Sequence, residues 1–240
     1  MARIRERSAL AIAGPAYPPD ERDLADAKLF GLTFPIRASV AVLVTTAVVV
    51  ADQLRLVVPA GAAPIAGIQP LQLTRLVLFL GVPLAVVMLG FRDAPARYAL
   101  RLGDWRWGVA LLAAGLVVMT PIILGLGQLP AFRDYYGAAA GSIGERLLNN
   151  LAELVPAEFL LRGFLMFALW RRIGPLALVV SLVPFVLTHV GKPDIELWST
   201  FVGGAIFAWL DWRTGSILWS ALGHAYVLTL MLIVVGGARL

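Results

Sequence analysis

The sequence predicts an all-α, polytopic integral membrane helical bundle of about seven transmembrane helices, within a range of six to eight. Two observations carry this. Hydrophobic residues make up 60% of the 240-residue chain against 15% charged, with a mean hydropathy of +0.83, a balance that no ordinary soluble domain keeps. Apolar stretches of membrane-spanning length also recur along the chain, separated by short segments rich in arginine, proline or glycine.

Residues 1–29 are expected to form a cytoplasmic N-terminal tail, because the apolar run Ala9–Gly14 is too short for a signal peptide and leads into "PAYPPDERD". Residues 30–240 form the transmembrane domain. Its expected spans run from Phe30 to Ala51, Leu76 to Phe91, Trp107 to Leu129, Leu147 to Trp170, Ile173 to Val190, Leu197 to Leu210 and Ser216 to Val235. An eighth, re-entrant or interfacial helix has room in the tail or in the Pro/Gly-rich Val58 to Gln72 loop.

Arginine placement orders these spans. Arg3, Arg5, Arg7, Arg22 and Lys28 precede the first span, Arg92, Arg97, Arg101 and Arg106 follow the second, Arg171 and Arg172 follow the fourth, and Arg213 follows the sixth. With the N-terminus inside, every basic segment falls on the cytoplasmic side, and "VPAGAAPIAGIQPLQ" and "LPAFRDYYGAAAGSIGER" fall outside. The pI near 10.1 therefore reflects topology and contact with membrane lipids, not nucleic-acid binding. Absence of cysteine excludes disulfides and thiolate metal sites. No internal repeat is evident of the kind that marks many transporters.

Against this apolar background the ionisable residues are few, and each costs on the order of 2.5–3.5 kcal/mol at a helix centre. The second, third, fifth and seventh spans contain no Asp, Glu, Lys or Arg in their interiors, whereas the fourth carries Glu153, Glu158 and Arg162. Glu158 and Arg162 are spaced as an i,i+4 ion pair, about 6 Å apart along one helical face. Such a pair either neutralises itself and fastens helices together or belongs to a site. The chain's two histidines, His189 and His224, lie in the fifth and seventh spans. A carboxylate and a histidine meeting in a hydrated pocket can activate water, and a second histidine can donate to a developing oxyanion. The same three side chains also make the minimum His, His, Glu set for zinc. Both arrangements lead to hydrolysis.

"AEFLLRG" (Ala157 to Gly163), "FVLTH" (Phe185 to His189) and "HAYVL" (His224 to Leu228) resemble, in order, the three motifs of the CPBP family of intramembrane proteases. That family includes the CAAX prenyl endopeptidases and proteins linked to bacteriocin processing and self-immunity. The resemblance covers about residues 147–235. It implies an endopeptidase, with or without a metal, that hydrolyses a peptide bond in a membrane-associated or lipid-modified peptide using Glu- and His-activated water. By position it makes Glu158 the family's second glutamate, assigns water activation to His189, partnered here by Glu158 or Glu153, and assigns the oxyanion to His224 and orientation of Glu158 to Arg162. A metal, if used, would be zinc on Glu158, His189 and His224. The variant branch it resembles is often bacterial, which implies the cytoplasmic (inner) membrane. The sequence gives no oligomeric state.

Two side chains depart from the family pattern. Its first glutamate is Ala157 here, and the Asn closing its third motif is Leu228. Three accounts remain open. "HVGKPDIE" resembles a branch motif His-x-Gly-Lys-Pro-x-x-Glu, in which Glu196 returns a carboxylate or simply pairs with Lys192. Glu153, one turn before Ala157 on the same face, supplies a displaced carboxylate. Or the chain is a catalytically degenerate binding or immunity-type membrane protein of the same fold.

Overall fold

The computed structural model describes residues 14–59, 61–137 and 141–237, so Arg3, Arg5 and Arg7 of the expected tail lie outside the described residues. Eight helices are present among them. They are α1 (Ile36–Gln53), α2 (Pro70–Gly90), α3 (Trp105–Leu126), α4 (Pro130–Tyr136), α5 (143–173), α6 (Leu176–Leu187), α7 (Asp194–Thr214) and α8 (Leu218–Gly236). Four of them, α1, α2, α3 and α8, are long and apolar enough to cross a membrane, and α6 is a shorter apolar helix. Charged residues keep α5 and α7 out of that group.

The first span begins later than the sequence suggests. Residues Asp26–Leu29 and Leu32–Pro35 pair as a small antiparallel hairpin, β1 and β2. Its two-residue turn is Phe30 and Gly31, both at positive φ, the backbone that matches the twist of flanking strands. The helix starts only after Pro35. The second span starts earlier, at Pro70, because proline is accommodated in the first helical turn. The eighth helix is α4, within the loop "LPAFRDYY", whereas no separate helix lies in the described residues 14–29 or 61–69; residues 1–13 of the tail lie outside the described residues. Phe132 and Tyr136 of α4 are buried with Ile123 and Met231 in a small apolar cluster between α3 and α8.

Successive long helices alternate in direction, which sorts the loops to two ends. At one end Arg37 reaches Asp23 at 2.8 Å, Asp93 at 3.0 Å and the Phe91 carbonyl at 3.0 Å. Arg171 donates to the Arg97 carbonyl, Arg172 pairs with Asp26, and Arg101 donates to the Gly215 carbonyl. The basic segments thus meet at a single end, and residues 14–29 are folded into it. At the other end Arg146 of α5 donates to the carbonyls of Leu232 and Gly237, covering the C-terminal groups that α8 leaves open.

α5 is the axis of the bundle. Every residue from 158 to 169 is buried, so the helix must be enclosed on all sides. It is wound as α-helix over Ile143–Glu158, as π-helix over Phe159–Met166 and again as α-helix over Phe167–Ile173. Gly163, inside the π stretch, lets the Tyr98 turn approach closely, since a Cβ there would lie 2.9 Å from the Tyr98 carbonyl oxygen. At the opposite extreme α3 buries only Gly108 and Ile123, as a peripheral, lipid-facing helix does.

Two stability predictions follow from this packing. Arg37→Ala would remove one shared guanidinium from the buried carboxylates of Asp23 and Asp93, which keep Arg97 and Arg22, and should cost about 1.5–3 kcal/mol, read as a lowered Tm of the detergent-solubilised protein. Gly108→Ala places a methyl 2.2 Å from the Trp219 ring, which is held by its bond to the Leu102 carbonyl. It should cost about 1–3 kcal/mol, whereas Gly115→Ala, facing open space on the same helix, should not lower the melting temperature.

Candidate functional site

The centre of the bundle brings together three of the expected site residues from three elements. Glu158 ends the first α-helical stretch of α5, His224 lies in the second turn of α8, and His189 follows the end of α6. Nδ1 of His224 is 2.9 Å from Oε1 of Glu158. Nη1 of Arg162 is 3.1 Å from the other oxygen, Oε2, and both side chains of this ion pair are fully buried. The guanidinium carbon of Arg162 lies 3.8 Å from the centroid of the Phe185 ring. Stacking of this kind suits arginine, whose planar cation is weakly hydrated.

His189 is held by the way α6 ends. Its backbone N–H donates to the Val186 carbonyl, three residues back instead of four, which leaves the Phe185 carbonyl free for other donors. The His189 ring takes up that carbonyl at 2.8 Å through Nδ1, and the Thr188 hydroxyl donates to it as well at 2.7 Å. A carbonyl only accepts, so Nδ1 carries the proton and Nε2 presents a lone pair. The His189 and His224 rings face each other, 14° from parallel and 6.2 Å apart, with Phe185 and Phe207 packed around them.

Sequence reasoning pairs Glu158 or Glu153 with His189. The structure pairs Glu158 with His224 instead. The reason is helical register: Arg146, Asn150 and Glu158 lie on rows four residues apart and all face α8. Asn150 donates to Thr229 at 2.8 Å, between the Arg146 and Glu158 contacts.

Glu153 belongs to the next row, with Asn149 and Ala157, and that row faces α2. Glu153 accepts from Gln72 at 2.7 Å and is ion-paired to Arg75, which also lies 3.4 Å from Asp52. Asn149 joins the Gly67 carbonyl and the Gln69 amide. Glu153 is therefore not brought to the histidines.

Glu196 is also engaged elsewhere. It accepts from the Tyr136 hydroxyl at 2.7 Å and from Lys192 at 2.7 Å. Burial first, and then the Glu196 carboxylate, raise the Tyr136 phenol above its ordinary range, so it stays a donor. Lys192, Glu196 and Tyr136 form a polar cap at the end of the bundle opposite the basic segments, with Lys192 near enough to His189 to act on it electrostatically. The two departures from the family pattern occupy apolar surroundings. Ala157 packs on the main core, and Leu228 packs on the Ile123, Phe132, Tyr136 and Met231 cluster.

One buried acid was missed. Asp211, fully buried near the end of α7, accepts from the Ser220 hydroxyl at 2.9 Å and lies within electrostatic range of Glu158 and Arg162. It falls one residue past the expected end of the sixth span, where "DWR" reads as a loop charge pair. The row Thr200, Gly204, Ala208 and Asp211, small residues at helical spacing and all buried, was the available signal.

Among the described residues no three His, Asp or Glu side chains converge as a metal-binding group. Glu158 already serves Arg162 and His224, and a guanidinium beside its carboxylate opposes a dication at the same oxygens. The donor set as arranged does not fit zinc.

Residues 139–230 match the family model described as type II CAAX prenyl endopeptidase Rce1-like. No curated protein and no solved structure matches the chain. The matched residues begin just before α5 and end within α8, so they enclose Glu158, Arg162, His189 and His224. Over this stretch, within a polytopic helical membrane bundle, the chain is similar to the Rce1-like type II CAAX prenyl endopeptidases.

Proposed function

We propose that the chain is an intramembrane endopeptidase of the CAAX type that cleaves a peptide bond in a membrane-associated or lipid-modified peptide. The observation that supports it is the carboxylate–histidine contact between Glu158 and His224, faced by the open nitrogen-bearing ring of His189. Glu158 accepts from Nδ1–H of His224 and so leaves its Nε2 as the proton acceptor, the division of labour that makes a histidine an effective base. A water held between the two imidazoles passes one proton to His224, and the hydroxide attacks the substrate carbonyl carbon. The imidazolium, balanced by Glu158, faces the oxyanion and returns its proton to the departing amine as the C–N bond breaks. His189 orients the same water through Nε2. Arg162 keeps Glu158 ionised and fixed. The pocket would open toward the Tyr136, Lys192 and Glu196 cap, and the basic end would face the cytoplasm under the positive-inside rule, in a bacterial inner membrane.

A second reading is a binding or immunity-type protein that keeps the fold without turnover. Leu228 favours it, because an apolar cluster occupies the position where the family carries an amide.

Cleavage of prenylated or membrane-anchored reporter peptides by the reconstituted protein separates the two. His224→Ala and Glu158→Gln should each lower kcat by on the order of 100- to 10,000-fold, and so should His189→Ala. Cleavage unaffected by all three would remove the hydrolase reading. The metal-free route predicts that a strong chelator leaves turnover intact. Loss of turnover with the chelator, restored by zinc alone, would reinstate a zinc site at Glu158, His189 and His224.

A further inference from the structure

Asp211 and Ser220 are both fully buried, and neither takes part in the chemistry proposed above. Their bond joins α7 to the first turn of α8. Ser220 stands four residues before His224, so the two side chains share a face of α8 one turn apart. Along that face α8 offers two polar groups to buried acids, Ser220 to Asp211 and His224 to Glu158.

Burying a carboxylate costs several kcal/mol unless it is well partnered. Asp211 accepts from Ser220, from its hydroxyl and its backbone N–H, and among the described residues Oδ1 lacks a well-aligned donor. A purely structural joint between two helices needs no acid there. Other bonds already fasten the corner: Asp104 N–H to the Thr214 carbonyl, Ile217 N–H to the Ala99 carbonyl, and the Thr214 hydroxyl to the Leu210 carbonyl. Those bonds fix where α8 begins. Side-chain bonds at Trp219, Tyr226 and Thr229 hold other faces of α8, to the Leu102 carbonyl, Thr120 and Asn150. The Ser220–Asp211 bond is the contact on the His224 face itself, one turn away, and so bears on whether His224 meets Glu158.

We propose that Asp211 is a positioning residue of the site: through Ser220 it sets the rotation of α8 and thereby the contact of His224 with Glu158. This rests on the reading of Glu158 and His224 as the working pair. Displacements of about 1 Å at such a pair are enough to cost about 100-fold in rate.

The test uses the full chain, labelled with ¹⁵N and purified in detergent. Its two histidines give two Nδ1–H signals, one bonded to the Phe185 carbonyl and one to Glu158, which His189→Gln assigns. Asp211→Asn keeps an acceptor for Ser220, and the His224 signal should persist. Asp211→Leu and Ser220→Ala remove the contact. In both the His224 signal should shift or vanish into solvent exchange while the His189 signal stays, and Asp211→Leu should lose about 100-fold in kcat at unchanged KM. An unmoved His224 signal in Asp211→Leu overturns the proposal. Should that variant fail to fold, an unmoved signal in Ser220→Ala overturns it equally. If the wild-type protein cleaves no peptide yet the His224 signal responds as stated, the hydrolase reading falls and the positioning role stands.

Discussion

Arg162 and Glu158 lie at the centre of the bundle with no exposed surface on either side chain. A charge pair in that position is tolerated only when each member has further partners, since the cost of removing both from water exceeds their mutual attraction unless the geometry is good. The partners come from separate helices. Phe185 of α6 offers its ring face to the guanidinium, and His224 of α8 offers Nδ1 to the carboxylate. Satisfying one ion pair within α5 therefore fixes α6 and α8 against it. The π winding that begins immediately after Glu158 belongs to the same constraint, because it carries Arg162 and Gly163 through a stretch in which every residue is enclosed.

The polar residues of α5 divide by face. One row reaches α8 through Arg146, Asn150 and Glu158, and the adjoining row reaches α2 through Asn149 and Glu153. Ala157 stands in the second row. A carboxylate added there would turn toward α2 and the core, where Arg75 is already committed to Glu153 and Asp52. The absent glutamate and the retained Glu153 are thus two aspects of one helical face, and neither turns that face toward His224. The acid that does join the central group, Asp211, arrives from α7.

Much of this was legible in the sequence. Hydropathy and arginine placement describe a bundle whose basic segments meet at one end, and the scarcity of ionisable residues singles out Glu158, Arg162, His189 and His224. What periodicity could not resolve is which residue of one helix faces which residue of another. Glu158 was expected beside His189 because both belong to adjacent motifs in the chain. Its partner is set instead by the row on α5 that packs along α8. The hairpin at 26–35 escaped because Leu29, Phe30, Leu32 and Phe34 continue the apolar run of α1, and only the positive φ at Phe30 and Gly31 breaks it. α4 escaped because seven residues are too few to show a helical period.

The same packing argument bears on how a histidine base can exist at this depth. α6 has 12 residues, about 18 Å of helix, against a hydrocarbon core of about 30 Å. Its end, with the turn that follows, therefore lies below the membrane surface, where an unpaired carbonyl costs several kcal/mol and irregular backbone is stable only if enclosed by protein or lining a polar cavity. Termination by a three-residue bond at His189 releases the Phe185 carbonyl, and the rings and hydroxyls nearest to hand take it. The histidine that repairs the helix end is by that act fixed in one tautomer, with its second nitrogen turned away from the backbone. A longer α6 would keep the Phe185 carbonyl for its own ladder and leave the imidazole free to rotate. Ending the helix early thus sets which nitrogen of the His189 ring carries the proton.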